Sequence, residues 1–135
     1  MMTRDVVFPA QRHALYEQHR YSPAIRSNGF LFVSGQVGSR ADGSPEPELE
    51  DQVRLAFTNL DAVLAAAGAA FADVVDVTLF MVDAEASFER IWPVLLEHWG
   101  TAPYPTVTAV GATWLAGFRF EIKVIARLPE GAAQA

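Results

Sequence analysis

Not one cysteine occurs in these 135 residues. That excludes disulfides, thiolate nucleophiles and cysteine-bound zinc, and it fits a reducing compartment. Lysine is nearly as scarce. Lys123 stands alone, no basic run exists, and the formal net charge is -6. Phosphate contacts need clustered Lys and Arg, so nucleic acid is not an expected partner. No apolar run reaches the ~20 residues of a membrane span. The N-terminal MMTRDVVFPA has no long apolar segment of the kind a secretory leader carries. A cytoplasmic protein with no membrane partner is the expectation. His13, His19 and His98 have no ligand-type spacing, and neither Asp76 nor Asp83 has a histidine at helical spacing, so neither a metal nor another cofactor is expected.

What the chain has in quantity is apolar side chains, 51% of its residues. That is ample for one core, and 135 residues is the size of one domain, with 1–20 its least defined part and 129–135 a tail. The stretch Tyr21–Gly38, YSPAIRSNGFLFVSGQVG, frames the functional question. Phe30 to Val33 reads as a buried strand behind the turn signal Ser27-Asn28-Gly29. Ser34-Gly35 then interrupts it, and glycine in a strand marks a bulge or a close approach by a ligand or backbone.

Elsewhere the periodicities separate cleanly. Asp5 to Phe8 reads as a short strand, and residues 40–48 as a loop. Leu49, Val53, Ala56, Leu60, Val63 and Ala67, widened by Phe57 and Leu64, form a helical stripe that Gly68 should close. Residues 73–83 are β-branched and read as a strand. A second helix is expected over 84–99 with Phe88, Ile91, Leu95 and Trp99 on one face. Pro93 should kink it or push its start later. Val107 to Val110 and Phe118 to Leu128 complete the strands. Two helices cannot cover both faces of such a sheet, so an α+β sandwich of two layers is expected, with both helices on one face. In the last strand Phe118, Phe120, Ile122, Val124 and Ala126 suit the helix layer. Arg119, Glu121, Lys123, Ile125 and Arg127 point away, a mixture that suits a subunit interface holding a polar cleft.

YSPA, FLFVSGQVG, QVRLAFTNLDAVLAAAGAAFADVVDVTLFMVD and FEIKVIARL, in that order, resemble the YjgF/RidA family of reactive intermediate deaminases, often labelled endoribonuclease L-PSP. The resemblance runs from Tyr21 to Leu128. It implies a chorismate-mutase-like fold with a mixed sheet, and a homotrimer with a small-molecule cleft between subunits. It also implies that Tyr21, Ser34 and Gly35 line that cleft and that Glu121 holds the water that attacks an imine carbon. One carboxyl group can relay both protons that imine hydrolysis requires.

The chain departs from the family at two places. The family's substrate-clamping arginine falls at Thr106 or Val107, depending on register, and no Arg or Lys lies between Arg90 and Arg119. A guanidinium fork matches a carboxylate in a way few other groups can. Trp92 stands where well-studied members carry an asparagine, and Tyr104 or Thr106 is left to fill the clamp position. The expectation is an enamine or imine hydrolase acting on something other than the usual 2-imino acids. The alternative is a trimeric protein that binds a small ligand, or regulates, without turnover. A ribonuclease is disfavoured by the acidic charge.

Overall fold

The computed structural model describes residues 3–130. Residues 131–135, most of the expected tail, lie outside the described residues, as do 1 and 2. In chain order the elements are β1 (Asp5–Val7), α1 (Leu15–His19), β2 (Ala24–Ser27), β3 (Phe30–Val33), β4 (Gln36–Val37), α2 (Leu49–Ala66), β5 (Val74–Val82), α3 (Ala84–Leu96), β6 (Thr106–Ala112) and β7 (Phe120–Arg127). The strands form one mixed sheet in the order β1-β2-β3-β7-β5-β6, with β4 also paired to β7. All pairings are antiparallel except β5 with β6, which α3 connects as a parallel crossover.

The local reasons are plain. β2 and β3 are a hairpin whose two-residue turn, Asn28 (φ +52°) and Gly29 (φ +82°), takes the left-handed geometry that Asn-Gly favours. In α2 the residues Leu49, Val53, Ala56, Phe57, Leu60, Val63 and Leu64 are all buried, at the spacings that place them on one stripe. The helix ends where Gly68 was expected to end it. The Ala69 N–H bonds Leu64 O at 2.9 Å and the Gly68 N–H bonds Ala65 O at 3.0 Å, a Schellman pair that satisfies the last carbonyls.

α2 and α3 pack on one face of the sheet. Phe120, Ile122, Val124 and Ala126 of β7 join the α2 stripe in a single core, while Glu121, Lys123, Ile125 and Arg127 alternate to the other face. That second face carries Phe30, Phe32 and Val110 partly exposed. β6 closes one side of the sheet, and Thr106 to Gly111 are exposed along almost its whole length.

The expectations for the short elements and for the end and buried face of α3 need correction. The short strands β2 and β4 and the five-residue α1 were not foreseen, because a single turn or a two-residue ladder leaves too little periodicity to see. α3 starts at Ala84 despite Pro93, which sits inside it. α3 ends at Leu96, so Trp99 is buried from the loop beyond it. Its buried positions are Ser87, Ile91, Val94 and Leu95, and Phe88 lies 42% exposed. Ile91 and Leu95 are buried as expected, while Phe88 stacks on Trp92 with centroids 5.4 Å apart.

Candidate active site

The break between β3 and β4 determines what can happen at Glu121. Ser34 is tied down twice. Its N–H donates to Pro23 O at 2.9 Å, and its hydroxyl donates to Ser22 O at 2.6 Å. Its side chain is thereby turned into the turn that leads to β2. Gly35 follows, and a β-carbon there would stand 2.5 Å from Glu121 Cδ and 2.9 Å from Cγ, with Oε2 nearer still. A side chain enters that space only by displacing the Glu121 carboxyl. The glycine that interrupts the strand is the residue that lets the Glu121 carboxyl lie against the backbone.

Glu121 is half-buried and, among the described residues, has no hydrogen bond and no ion pair. Both neighbouring cations are otherwise occupied. Lys123 Nζ donates to Val33 O at 3.2 Å, and an Arg119 guanidinium N–H donates to Pro47 O at 3.0 Å. Burial raises the Glu121 carboxyl above the usual value, and Lys123 opposes it only in part. The side chain therefore sits at a cost, since half-burial penalises its charged form and no partner repays it.

The carboxyl opens into a cavity of about 260 Å³. Leu15 and His19 come from α1, Tyr21 from the segment after it, and Gly35 and Val37 from the broken strand. Gly43 and Pro45 contribute from the following loop, and Leu115, Ala116 and Phe118 from the turn before β7. A hollow of about 340 Å³ lies elsewhere, between Phe71 and Trp99, but its lining holds no carboxylate. The smaller one is the cavity that brings the Glu121 carboxyl together with Tyr21.

Tyr21 is pushed up to about 12, first by burial and then by the neighbouring Tyr16 and Glu121. Its hydroxyl keeps its proton through the neutral range and is a donor there. Tyr21 is held by its N–H to Tyr16 O, 3.2 Å, and by an edge-on ring contact with Tyr16 at 5.0 Å. Tyr16 in turn donates its hydroxyl to Gln36 Oε1 at 3.2 Å, and the Gln36 amide donates to Ser34 O at 3.0 Å. α1 is thereby anchored to β4, and the tyrosine and the glycine are positioned by one chain of hydrogen bonds.

Of the residues singled out in the sequence, Tyr21, Gly35 and Glu121 line one cavity, and Ser34 supports it from behind. Trp92, Tyr104, Thr106 and Val107 do not reach it within the chain. Glu121, Phe80 and Val110 share one row across β7, β5 and β6, and Thr106 lies four residues down from Val110. That puts it on the order of 15 Å from Glu121. Thr106 gives its hydroxyl to Asp76 Oδ1 at 2.6 Å and Val75 O at 3.0 Å. Tyr104 and Val107 are 61% and 45% exposed. Three contributors were missed. Gln36 stands in the quoted Ser-Gly-Gln and could have been read as the anchor. Tyr16 and His19 lie in the ambiguous 9–20, where one turn of helix leaves no pattern.

Fold and cavity together define a two-layer α+β protein that presents an unpaired carboxylate beside a broken strand. The chain belongs to the endoribonuclease L-PSP family, the YjgF/RidA/RutC proteins, whose model matches residues 11–128. It is 64% identical over 130 residues to the RutC family protein YjgH of Escherichia coli, covering 96% of this chain and 99% of that one. A solved structure of YjgH superposes with a TM-score of 0.91 over the same shares. YyfA of Yersinia pestis, from the conserved Rid protein family, is 29% identical with a TM-score of 0.82, covering 93% of this chain and 99% of that one. A 2-iminobutanoate/2-iminopropanoate deaminase of Dermatophagoides farinae is 33% identical over 108 residues, 78% of this chain and 83% of that one.

Among the described residues no helix is long and apolar enough to cross a membrane, and no three His, Cys, Asp or Glu side chains gather as they would around a metal ion.

Proposed function

We propose that this chain is a hydrolase of imines or enamines, working in a cleft at Glu121, on small molecules other than the usual 2-imino acids. The observation that carries the reading is the Glu121 carboxyl itself, half-buried, unpaired and seated in the space Gly35 leaves free. A purely structural carboxylate on this strand would pair with Lys123 or Arg119, and it pairs with neither. An acid held this way can take a proton from water as the water attacks an imine carbon, then return it to the departing amine. Tyr21 donates to the substrate from the adjoining wall. The family's inclusion of a named imine deaminase supports the class of reaction.

The substrate differs from 2-imino acids in this reading because its cavity contains no Lys or Arg. A carboxylate buried there would have no cationic partner. The cleft is completed by a second copy of the chain within a homotrimer. The uncovered sheet face carries Phe30, Phe32 and Val110, and β6 is a long exposed edge that a neighbour would cover. Trp92, Tyr104, Thr106 and Val107 would then approach a Glu121 that is not their own. The location is cytoplasmic in this reading, and the partners are a small molecule and two further copies, without nucleic acid.

A binding or regulatory protein without turnover is the second reading, and the vacant clamp position favours it. The test is a screen of purified protein against imines made in place by amino-acid oxidases and amine oxidases, with ammonia release as the readout. Turnover of acid-free imines that Glu121→Gln abolishes supports the hydrolase. Binding of those compounds without turnover supports the second reading.

A further inference from the structure

His19 is the titratable residue that the reading above leaves unused. It ends α1, and its side chain lines the same cavity as Glu121 and Tyr21. No Lys or Arg lines that cavity, so the imidazole is its one group that carries a positive charge when protonated. The turn that carries it is fixed. Tyr16 is bonded to Gln36, His13 stacks on Tyr16 with centroids 4.4 Å apart, and the Ala14 N–H bonds Ala41 O at 3.1 Å. His19 itself is exposed to solvent while it lines the cavity.

Arg20, next in the chain, is exposed and does not line the cavity, and the other charged groups of these walls are held elsewhere. Glu17, on the same helix, pairs with Arg12 at 3.4 Å. In the loop that forms another wall, Arg40 pairs with Glu46 at 2.9 Å and Asp42 accepts from Ser44 at 2.6 Å. The titratable groups lining the cavity with His19 are therefore Tyr21 and Glu121. Tyr21 keeps its proton, which leaves an imidazole and a carboxyl as the pair able to exchange protons with a substrate.

We propose that His19 is the acid partner of Glu121, so that the cavity hydrolyses imines with two proton-transfer groups instead of one. The inference rests on the hydrolase reading. In the first step the imidazolium of His19 protonates the imine nitrogen. Water attacks the carbon, the π pair of C=N moves to nitrogen, and the Glu121 carboxylate takes one water proton. In the second step the C–N bond breaks with its pair on nitrogen, which receives the proton held by Glu121. The carbinolamine hydroxyl becomes the carbonyl and returns a proton to His19. The sum is imine plus water giving carbonyl plus ammonia, with both side chains restored. No cation is needed to hold a carboxylate, so the fitting substrates are neutral imines of amines with a small apolar body.

The test is the pH profile of kcat on an imine generated from a simple amine by an amine oxidase. A carboxylate base and an imidazolium acid give a bell. His19→Gln should remove the alkaline limb and lower kcat by about 10²-fold with little change in KM. His19→Ala should regain rate on adding free imidazole, since the position is exposed at an open cavity. Variants that keep the wild-type rate and both limbs would overturn the role of His19 and leave the hydrolase reading standing. Wild-type protein inert toward every imine at every pH would overturn both.

Discussion

The carboxyl of Glu121 lies in the space that a β-carbon at Gly35 would occupy. The strand β7 supplies the acid, and the break between β3 and β4 supplies the space. Substituting Gly35 with Ala therefore pushes directly on the carboxyl to which the proposed chemistry is assigned. The atoms in the way are the end of a flexible side chain, so Glu121 can swing aside and the fold should survive. We expect a stability change of about 1 kcal/mol. Activity should fall about 10²-fold, because a displacement near 1 Å at a reacting group has that effect. Circular dichroism and melting alongside kinetics would check it, and full activity in Gly35→Ala would show that the contact has no functional weight.

Glu121 should also leave a mark on stability. Its folded-state value is raised, so the native chain holds the proton more tightly than the unfolded chain. The contribution to stability is complete below the ordinary carboxyl value and is lost as pH rises through the raised one. Glu121→Gln removes that loss. The variant should be at least as stable as the parent at pH 7, with the gap closing at acid pH. Denaturant melts at several pH values test this, and a Gln variant less stable at pH 7 would point to a favourable ion pair.

The uncovered sheet face predicts association. Light scattering in dilute buffer should give the mass of three chains. Phe32 is 45% exposed on that face and is not among the buried core residues, so Phe32→Glu should leave the monomer folded while breaking the assembly. A monomer mass for the parent protein would remove the neighbour that brings β6 to the cleft.

Activity on 2-iminopropionate should be weak, about 10- to 10²-fold below that of an arginine-bearing relative, since a bidentate charged contact is worth about 1.5–3 kcal/mol. Ammonia release or semicarbazide trapping would measure it. Parity with such a relative would mean that a residue such as Arg26 or Arg119 reaches the substrate.

Much of the fold was legible because its longer elements carry their period openly. The α2 stripe from Leu49 to Leu64 and the alternation of β7 are the two faces of one core, and each could be read alone. The candidate site was legible in part. Gly35 could be read as an interruption in a strand, but what filled its space could not, since Glu121 is 86 residues away along the chain. His19 and Tyr16 were invisible for the same reason. A five-residue helix has no periodicity, and its function arises from hydrogen bonds across the fold.

The central claim is that Glu121 performs proton transfer at this cavity, and Glu121→Gln on a working imine substrate tests it most directly. Gln is isosteric and still forms hydrogen bonds, but it cannot take a proton. The account predicts an intact fold and assembly with kcat down about 10²–10⁴-fold and KM little changed. A Gln variant that turns over the same imine at the parental rate would contradict it.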